Sequence, residues 1–324
     1  MNLSVNADEF QWEQKYRPQT LAECILPAKD KKVFTEIVKR GEIPSMILHS
    51  PRPGTGKTTI ALALVREVNC DYMFVNGADC NLAMIRDQFK QFAVSGSIDP
   101  ERAGKRKVII IDEFDRPELI ASHKHLRSFS EAYSDKVTFI VTANDINGIH
   151  NALHSRFTPI EFGIASREDT VAMMKQGIQR CKAILDNEGI PCEDMRVLAS
   201  LVKQNFPDMR RTIKELDYYS KFGKIDAGIL SMVDHNDYDL SELIEGLRTK
   251  SFANIRKLTP QYASTYHIFI KKLYNELYDK VTPASIGRMI EEIGDNNRTF
   301  AVAADKEIHI TFLLFRLMVE LEFK

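Results

Sequence analysis

Apolar positions fall into two regimes along the chain. Up to Gly163, short apolar runs alternate with segments of helical period, the pattern of a parallel sheet wrapped by helices. The runs predict strands at Ser45–His49, Tyr72–Val75, Lys107–Asp112, Val137–Ala143 and Pro159–Phe162. Val108–Ile111 is uninterrupted β-branched sequence, as expected of a strand buried on both faces. After Gly163 the strand signals stop. Arg167–Asn187, Asp194–Asn205 and Met209–Phe222 read as three helices, with Gly189, Pro191 and Pro207 as breaks. A polar stretch, Val233–Asp239, marks a second boundary; beyond it Leu240–Thr249, Tyr262–Lys280, Pro283–Ile293 and Asp305–Phe323 are again helical. The expected architecture is an α/β domain with a parallel five-stranded sheet over 1–163, a small helical domain over 164–232 and an all-helical domain over 233–324. In the last of these, Tyr266, Ile270, Leu273, Leu277, Leu313, Leu314 and Leu317 recur at helical spacing. Such stripes form either a core or, in so small a domain, part of an oligomeric contact.

Composition sharpens this picture. Gly and Pro make up 27 of 324 residues, a low share that predicts long helices and few tight turns. No apolar run reaches 18 residues and Met1–Gln11 carries no signal-peptide pattern, so neither a membrane span nor secretion is expected. The cysteines, Cys24, Cys70, Cys80, Cys181 and Cys192, are odd in number and lack metal-site pairing. They read as reduced thiols of a cytoplasmic protein, without a disulfide framework or zinc. Net charge is −1, and the two sides of Gly163 carry 21 basic against 21 acidic and 23 against 24. Neither half is a basic domain, so nucleic-acid binding would have to come from a local patch or from several copies arranged together.

Candidate chemistry begins where Ser45–His49 runs into Pro51-Arg-Pro-Gly-Thr-Gly-Lys-Thr-Thr59 and then into a helical segment, Ile60–Asn69. Strand, Gly-rich turn and helix are the context a phosphate-binding loop requires. Gly54 and Gly56 let backbone N–H groups approach phosphates closely, and the helix N-terminus adds partial positive charge. Lys57 would reach the β- and γ-phosphates and the Thr58 hydroxyl would hold Mg²⁺. Pro51 stands where the usual pattern begins with Gly, so the loop entrance is shaped differently.

A second element follows about 55 residues later. Lys107–Asp112 places Asp112 and Glu113 at the carboxyl end of a buried strand, the edge at which ligands of such sheets sit. Asp112 would bind Mg²⁺ through water and Glu113 would polarise the water that attacks the γ-phosphate. An adjacent Asp-Glu pair favours hydrolysis over transfer to a substrate hydroxyl. Val137–Ala143 ends at Asn144, whose amide would orient the same water or simply cap the turn. Arg156, in His154-Ser-Arg-Phe157, is a candidate arginine finger by its order along the chain.

This order of motifs resembles the AAA+ ATPases. Trp12-Glu-Gln-Lys-Tyr-Arg-Pro18 is similar to the "W-x-E-K-Y-R-P" opening of sliding-clamp loader subunits, and His125-Leu-Arg-Ser-Phe-Ser-Glu-Ala-Tyr-Ser134 to their "A-L-R-R-T-M-E-x-Y-S" segment. Ser155-Arg-Phe157 stands where they carry "S-R-C", and Pro207-Asp-Met-Arg-Arg211 resembles their "G-D-M-R-R" second sensor. Within that family the chain is most similar to the large-subunit branch of T4-like phages.

The resemblance implies a set of roles. Glu13, Gln14, Lys15, Tyr16 and Ile25 would line the adenine and ribose side of an ATP pocket, and Gly54, Thr55, Gly56, Lys57, Thr58 and Thr59 its phosphates. Thr58 and Asp112 would serve Mg²⁺, Glu113 the water, Asn144 the first sensor and Arg210 the second, on a lid. Arg156 would act in trans on a neighbour's ATP. Implied partners are a sliding clamp, a small clamp-loader subunit and primer–template DNA. The assembly implied is a homo-tetramer of large subunits within a hetero-pentamer, working in the host cytoplasm during DNA replication. Asn76-Gly-Ala-Asp79 and the helix after it resemble a duplex-facing segment. Arg86, Lys90 and Arg127 are the DNA-contact candidates, against the alternative of solvated helix faces. The Lys105-Arg-Lys107 cluster reads as a solvated turn. Phe157, Pro207 and Lys214 depart from the family pattern, as does His123, which replaces a frequent Gln. His123 is either a hydrogen-bond donor coupling DNA to the site or an exposed helix residue. Two further classes stand beside the loader: another AAA+ DNA-processing ATPase, such as a helicase loader or branch-migration motor, and a non-hydrolysing scaffold. The intact Lys57, Thr58, Asp112 and Glu113 argue against the scaffold.

Overall fold

The computed structural model describes residues 3–162, 165–226, 228–229, 240–260, 262 and 266–324. The boundaries expected at 163/164 and 232/233, and the polar stretch Val233–Asp239, lie outside them. By its contacts the chain divides into two compact units, Met1–Val233 and Asp234–Lys324.

Five strands, β1 (Met46–His49), β2 (Tyr72–Asn76), β3 (Lys107–Asp112), β4 (Val137–Ala143) and β5 (Thr158–Glu161), form one sheet in the order β2-β3-β4-β1-β5. Every pairing is parallel. β4 is buried at all seven positions and β3 at its first five, because helices cover both faces and each strand divides its side chains between them. Ile109, Ile111, Phe139 and Val141 enter one core, whereas Val108, Ile110 and Ile140 enter the core on the opposite face. Since β1 lies between β4 and β5, the strand order reverses beside it, and the carboxyl ends of β1, β3 and β4 open toward one crevice.

The lysines flanking Arg106 are not the solvated turn expected of them. Lys107 is buried; its ammonium donates to the Phe92 and Ser95 carbonyls at 2.8 and 2.7 Å and to Ser95 Oγ at 2.6 Å. It closes the end of the Lys90–Val94 helix. Lys105 Nζ donates to the Val68 and Asn69 carbonyls and so caps the Lys57–Val68 helix. Cations at helix C-termini satisfy the last carbonyls and oppose the helix dipole. Both lysines of a cluster expected to be solvated are committed to the fold.

Arg167–Asn187, Met195–Asn205 and Met209–Ser220 are the three expected helices, each opened by a side-chain cap, from Ser166, Asp194 and Asp208. Their core includes Leu198, Leu201, Val202 and Leu216, and also Trp12 and Tyr16 from the start of the chain. The amino-terminal segment is therefore packed into the helical lid.

In the second unit, Ser241–Arg248, Phe252–Leu258, Tyr266–Lys280, Pro283–Thr299 and Lys306–Glu320 are helical. The helix starting at Pro283 outruns its expected end at Ile293 through Gly294, Asp295 and two asparagines, all poor helix formers. Tertiary bonds hold the extra turns: the buried Asn296 accepts from Tyr266 Oη at 2.7 Å and donates to the His309 carbonyl at 3.1 Å. The stripe Tyr266, Ile270, Leu273, Leu277, Leu313, Leu314 and Leu317 is buried inside this unit as its core. A different stripe, Ile308, Phe312, Phe315 and Val319, is exposed on the last helix. Among the described residues no helix is long and apolar enough to cross a membrane.

Replacing Lys107 with Met removes all three bonds and leaves the Ser95 carbonyl without its donor, while the Phe92 carbonyl keeps the Ser95 hydroxyl at 2.9 Å. The expected cost is about 1–3 kcal/mol, read as a lower urea midpoint at unchanged m-value.

Candidate functional site

Gly54 and Gly56 adopt φ of +69° and +95°, conformations that only glycine takes without strain. Through them the chain turns from β1 into the helix that begins at Lys57. Asp208, the cap of the lid helix Met209–Ser220, stands directly over this loop. A Cβ built on Gly54 would lie 1.8 Å from its carboxylate. Gly54 is thus required twice, by its own backbone and by the lid against it.

At the carboxyl ends of the central strands, Asp112 Oδ1 accepts from Thr58 Oγ1 at 2.6 Å and from Thr142 Oγ1 at 2.7 Å. Thr142 Oγ1 in turn accepts the Glu113 N–H at 2.9 Å. Lys57 Nζ donates to Asn144 Oδ1 at 3.0 Å and to the Ser50 and Arg52 carbonyls, both at 3.4 Å. Burial lowers the Lys57 pKa below its ordinary value, and the charges of Asp115, Asp112 and Glu113 oppose that shift. Glu113 has φ of +56°, a left-handed conformation uncommon in non-glycine residues and typical of functional sites. It turns the chain so that the Glu113 side chain is half exposed while Phe114 is buried.

A cleft runs from the Gly54–Gly56 loop toward the amino terminus, and Lys57, Thr58, Asp112, Glu113 and Asn144 are not part of its lining. Glu13, Gln14, Tyr16, Ile25, Gly54, Thr55, Gly56, Thr59 and Arg210 all line it, as the sequence reading expected of them. Lys15 does not; its ammonium pairs with Glu188 of the lid at 2.6 Å. Tyr16 Oη donates to the same carboxylate at 2.5 Å and accepts from Asn187 Nδ2 at 2.7 Å. Burial raises the pKa of this phenol.

Several residues of the site carried no sequence signal that was used. Arg17 lines the cleft and donates from Nε to Thr59 Oγ1 at 3.1 Å. Burial first, then the like charge of Arg210, lowers its pKa. It belongs to the Tyr-Arg-Pro motif, Tyr16–Pro18. Arg180, 2 % exposed, donates to the Tyr16 carbonyl at 2.6 Å and to the Glu23 carbonyl at 3.0 Å. These bonds lock the amino-terminal segment to the lid. Thr142 was hidden inside an apolar strand.

His123 is not an exposed helix residue. It is fully buried, with Nε2 2.7 Å from the Phe114 carbonyl, while Nδ1 accepts the His150 N–H at 3.3 Å. An accepting Nδ1 leaves the proton on Nε2, which donates to Phe114. Burial lowers its pKa, so the neutral ring is the form held here. Phe157 fills core volume beneath the Ser-Arg loop, its ring stacked on Phe139 at 5.5 Å. Arg156 lies outside the cleft of its own chain and pairs with Glu131 at 2.6 Å. Arg127 reaches the same Glu131 oxygen at 3.3 Å. Arg86 and Lys90 are exposed, Arg86 within a π-helical turn, Ile85–Phe89. That turn packs on the Arg127 helix through an edge-to-face contact of Phe89 with Phe129 at 6.1 Å.

The turn after β2 presses on the end of β3: a Cβ on Gly77 would come 2.4 Å from the Glu113 carbonyl and 2.8 Å from that of Asp112. Gly77→Ala is therefore expected to displace Glu113 and cut turnover about 10- to 100-fold. Nucleotide affinity, measured by fluorescence titration, should change little.

Family comparisons cover both units. Residues 47–163 match the ATPase family associated with various cellular activities (AAA). Residues 169–231 match the AAA+ ATPase lid domain, and 265–322 the C-terminal domain, of the sliding-clamp-loader large subunit. The chain is 49% identical over 322 residues to the sliding-clamp-loader large subunit of Enterobacteria phage T4, covering 99% of this chain and 100% of that one. It is 33% identical over 222 residues to replication factor C small subunit 2 of Pyrobaculum arsenaticum, covering 67% and 65%. Among solved structures, the RuvB Holliday junction branch migration motor of Thermotoga maritima aligns at a TM-score of 0.50 and 19% identity, covering 78% of this chain and 80% of that one. A likeness at that identity shows a shared fold and does not revive the branch-migration alternative. With its AAA core, lid and C-terminal domain all matched, and near-full-length identity to the phage T4 protein, the chain belongs to the sliding-clamp-loader large-subunit family of AAA+ ATPases.

Proposed function

We propose that this ATPase couples nucleotide binding to the opening of a ring-shaped sliding clamp and to capture of primer–template DNA, and that DNA-stimulated hydrolysis releases the closed clamp on DNA. The observation that carries this reading is the convergence of Lys57, Thr58, Asp112, Glu113 and Asn144 beneath a lid whose capping Asp208 touches the phosphate loop. Thr55 Oγ1 is buried without a hydrogen-bond partner at that loop, an orphan suited to a phosphate oxygen. No group of three or more His, Cys, Asp or Glu among the described residues could hold a metal alone. Thr58 and Asp112 fit Mg²⁺, which is held by one or two protein groups together with substrate phosphates. Bound there, Mg²⁺ would neutralise charge on the phosphates.

The protein's own groups divide the work. Lys57 offers charge to the β- and γ-phosphates, Glu113 polarises the attacking water, and Asn144 orients it from the end of β4. Arg210 closes in from the lid, so its charge reaches the phosphates only when the lid lies over the loop. Arg156, half exposed and outside its own cleft, is placed to serve the ATP of a neighbouring subunit. Arg86, Lys90 and Arg127 present phosphate-binding charge without base readout.

The assembly read here is four copies of this chain with one small subunit, acting on a clamp and DNA in the host cytoplasm. Ile308, Phe312, Phe315 and Val319, exposed by 68, 55, 45 and 54 %, follow the four–three spacing of a helix–helix seam and supply an apolar face for such a collar.

The steady-state ATPase rate of the assembly should rise several-fold with recessed-end DNA and further with the clamp. A rate indifferent to both would leave an ATPase with another cargo. Mixing inactive Arg156→Ala with inactive Glu113→Gln subunits should restore part of the turnover, since an intact Glu113 then meets an intact Arg156 across a subunit boundary. No recovery would assign the arginine to its own chain.

A further inference from the structure

We propose that Asp115 is a positioning residue for hydrolysis: by binding two consecutive backbone N–H groups it aims the Asn144 amide at the reacting phosphate. Among the carboxylates around the phosphate loop, Asp115 is the one that motif comparison leaves without a role. It stands three residues beyond Asp112, after the chain has turned at Glu113. The backbone between them is held at three points. The Glu113 N–H is bound by Thr142 Oγ1, the Phe114 N–H by the Thr142 carbonyl at 3.0 Å, and the Phe114 carbonyl by His123. Asp115 therefore projects from a fixed base.

Its Oδ2 accepts the Asn144 and Asp145 N–H groups, each at 2.7 Å. Two successive N–H groups converging on one point form an anion-binding concavity. At the end of β4 that concavity is filled by the protein's own carboxylate, with the short distances of charge-assisted bonds. The backbone at Asn144 is thus occupied, and only its side chain is left to face a ligand. That side chain is pinned at its other end, because Asn144 Oδ1 accepts from Lys57 Nζ at 3.0 Å.

A second contact secures the geometry. The Asp115 carbonyl lies where a Cβ on Gly148 would approach to 2.3 Å, so the loop after β4 is seated against Asp115 by backbone as well as by side chain. The charge of Asp115 also heads the acidic influences on Lys57, which places the carboxylate within the field of the phosphate-binding ammonium. Asp115 joins the turn after β3, which carries Glu113, to the end of β4, which carries Asn144.

The inference rests on the assignment of Asn144 as a sensor, and the test separates the two. Basal ATPase rates of full-length D115A, D115N, N144A and D115A/N144A are measured, together with affinity for a fluorescent ATP analogue and the thermal midpoint. D115A should lose about 10- to 100-fold in kcat while affinity and midpoint stay near wild type, the signature of a misaimed group. D115N should recover most of the rate, because its amide oxygen accepts the same two N–H bonds without the charge. The double variant should be no slower than the slower single variant, as expected of residues acting as one unit. An unimpaired D115A beside an impaired N144A would overturn the proposal alone. So would a D115A loss matched by weaker nucleotide binding and a lower midpoint, an unrescued D115N, or additive losses in the double variant. A wild-type rate in N144A would remove the sensor assignment and the proposal with it.

Discussion

One carboxylate oxygen sets the register of the site. Asp112 Oδ1 receives a hydroxyl from the helix that follows β1 and another from β4, while Asp112 itself ends β3. The carboxyl ends of three neighbouring strands are thereby referred to a single point. An anionic acceptor makes each of these bonds stronger than a neutral one, by roughly a factor of two. Asp112 needs both hydroxyls, since a carboxylate at a partly buried strand end is costly unless its lone pairs are used. Because Thr142 passes the constraint on to the Glu113 N–H, Glu113 inherits its position from the aspartate beside it.

The lid is bound to the amino terminus by a different kind of interaction. Trp12 and Tyr16 bury their rings in the lid core, and Arg180 places a guanidinium, with no carboxylate in hydrogen-bond contact among the described residues, against two carbonyls of that segment. A buried cation of this sort is tolerated only while its donors are satisfied. The cleft residues from Glu13 to Ile25 are therefore attached to the lid, while Gly54–Gly56 belong to the sheet side, and Asp208 over Gly54 is where those two parts of the unit meet.

What could be read from the sequence follows a physical division. β3 and β4 were legible to the residue because strands covered on both faces must be continuously apolar, and the gathering of Lys57, Thr58 and Asp112 at the strand ends because a Gly-rich turn and a strand-end carboxylate meet at one edge of such a sheet. Residues whose role depends on a partner distant in sequence were not legible. Lys15 faces Glu188, and Lys105 and Lys107 close helices begun tens of residues earlier. His123 is silent in a helical pattern, yet it bridges the Phe114 carbonyl and the His150 N–H. In the C-terminal unit the stripe read from spacing is core, one of the two alternatives it allowed, while a second stripe on the last helix is exposed.

The π-helical turn at Ile85–Phe89 sits between α-helical Leu82–Met84 and Lys90–Val94. An i→i+5 turn accommodates one residue more than the α-helix it interrupts. Deleting a single residue there would let a continuous α-helix close while the turns on either side keep nearly the same faces, because the wide turn absorbs its extra residue locally. Arg86 lies inside that turn and Lys90 directly after it. The chain can thus lose or gain one residue between these two cations without re-aiming the helix that carries them, a tolerance that a comparison of side chains alone would pass over.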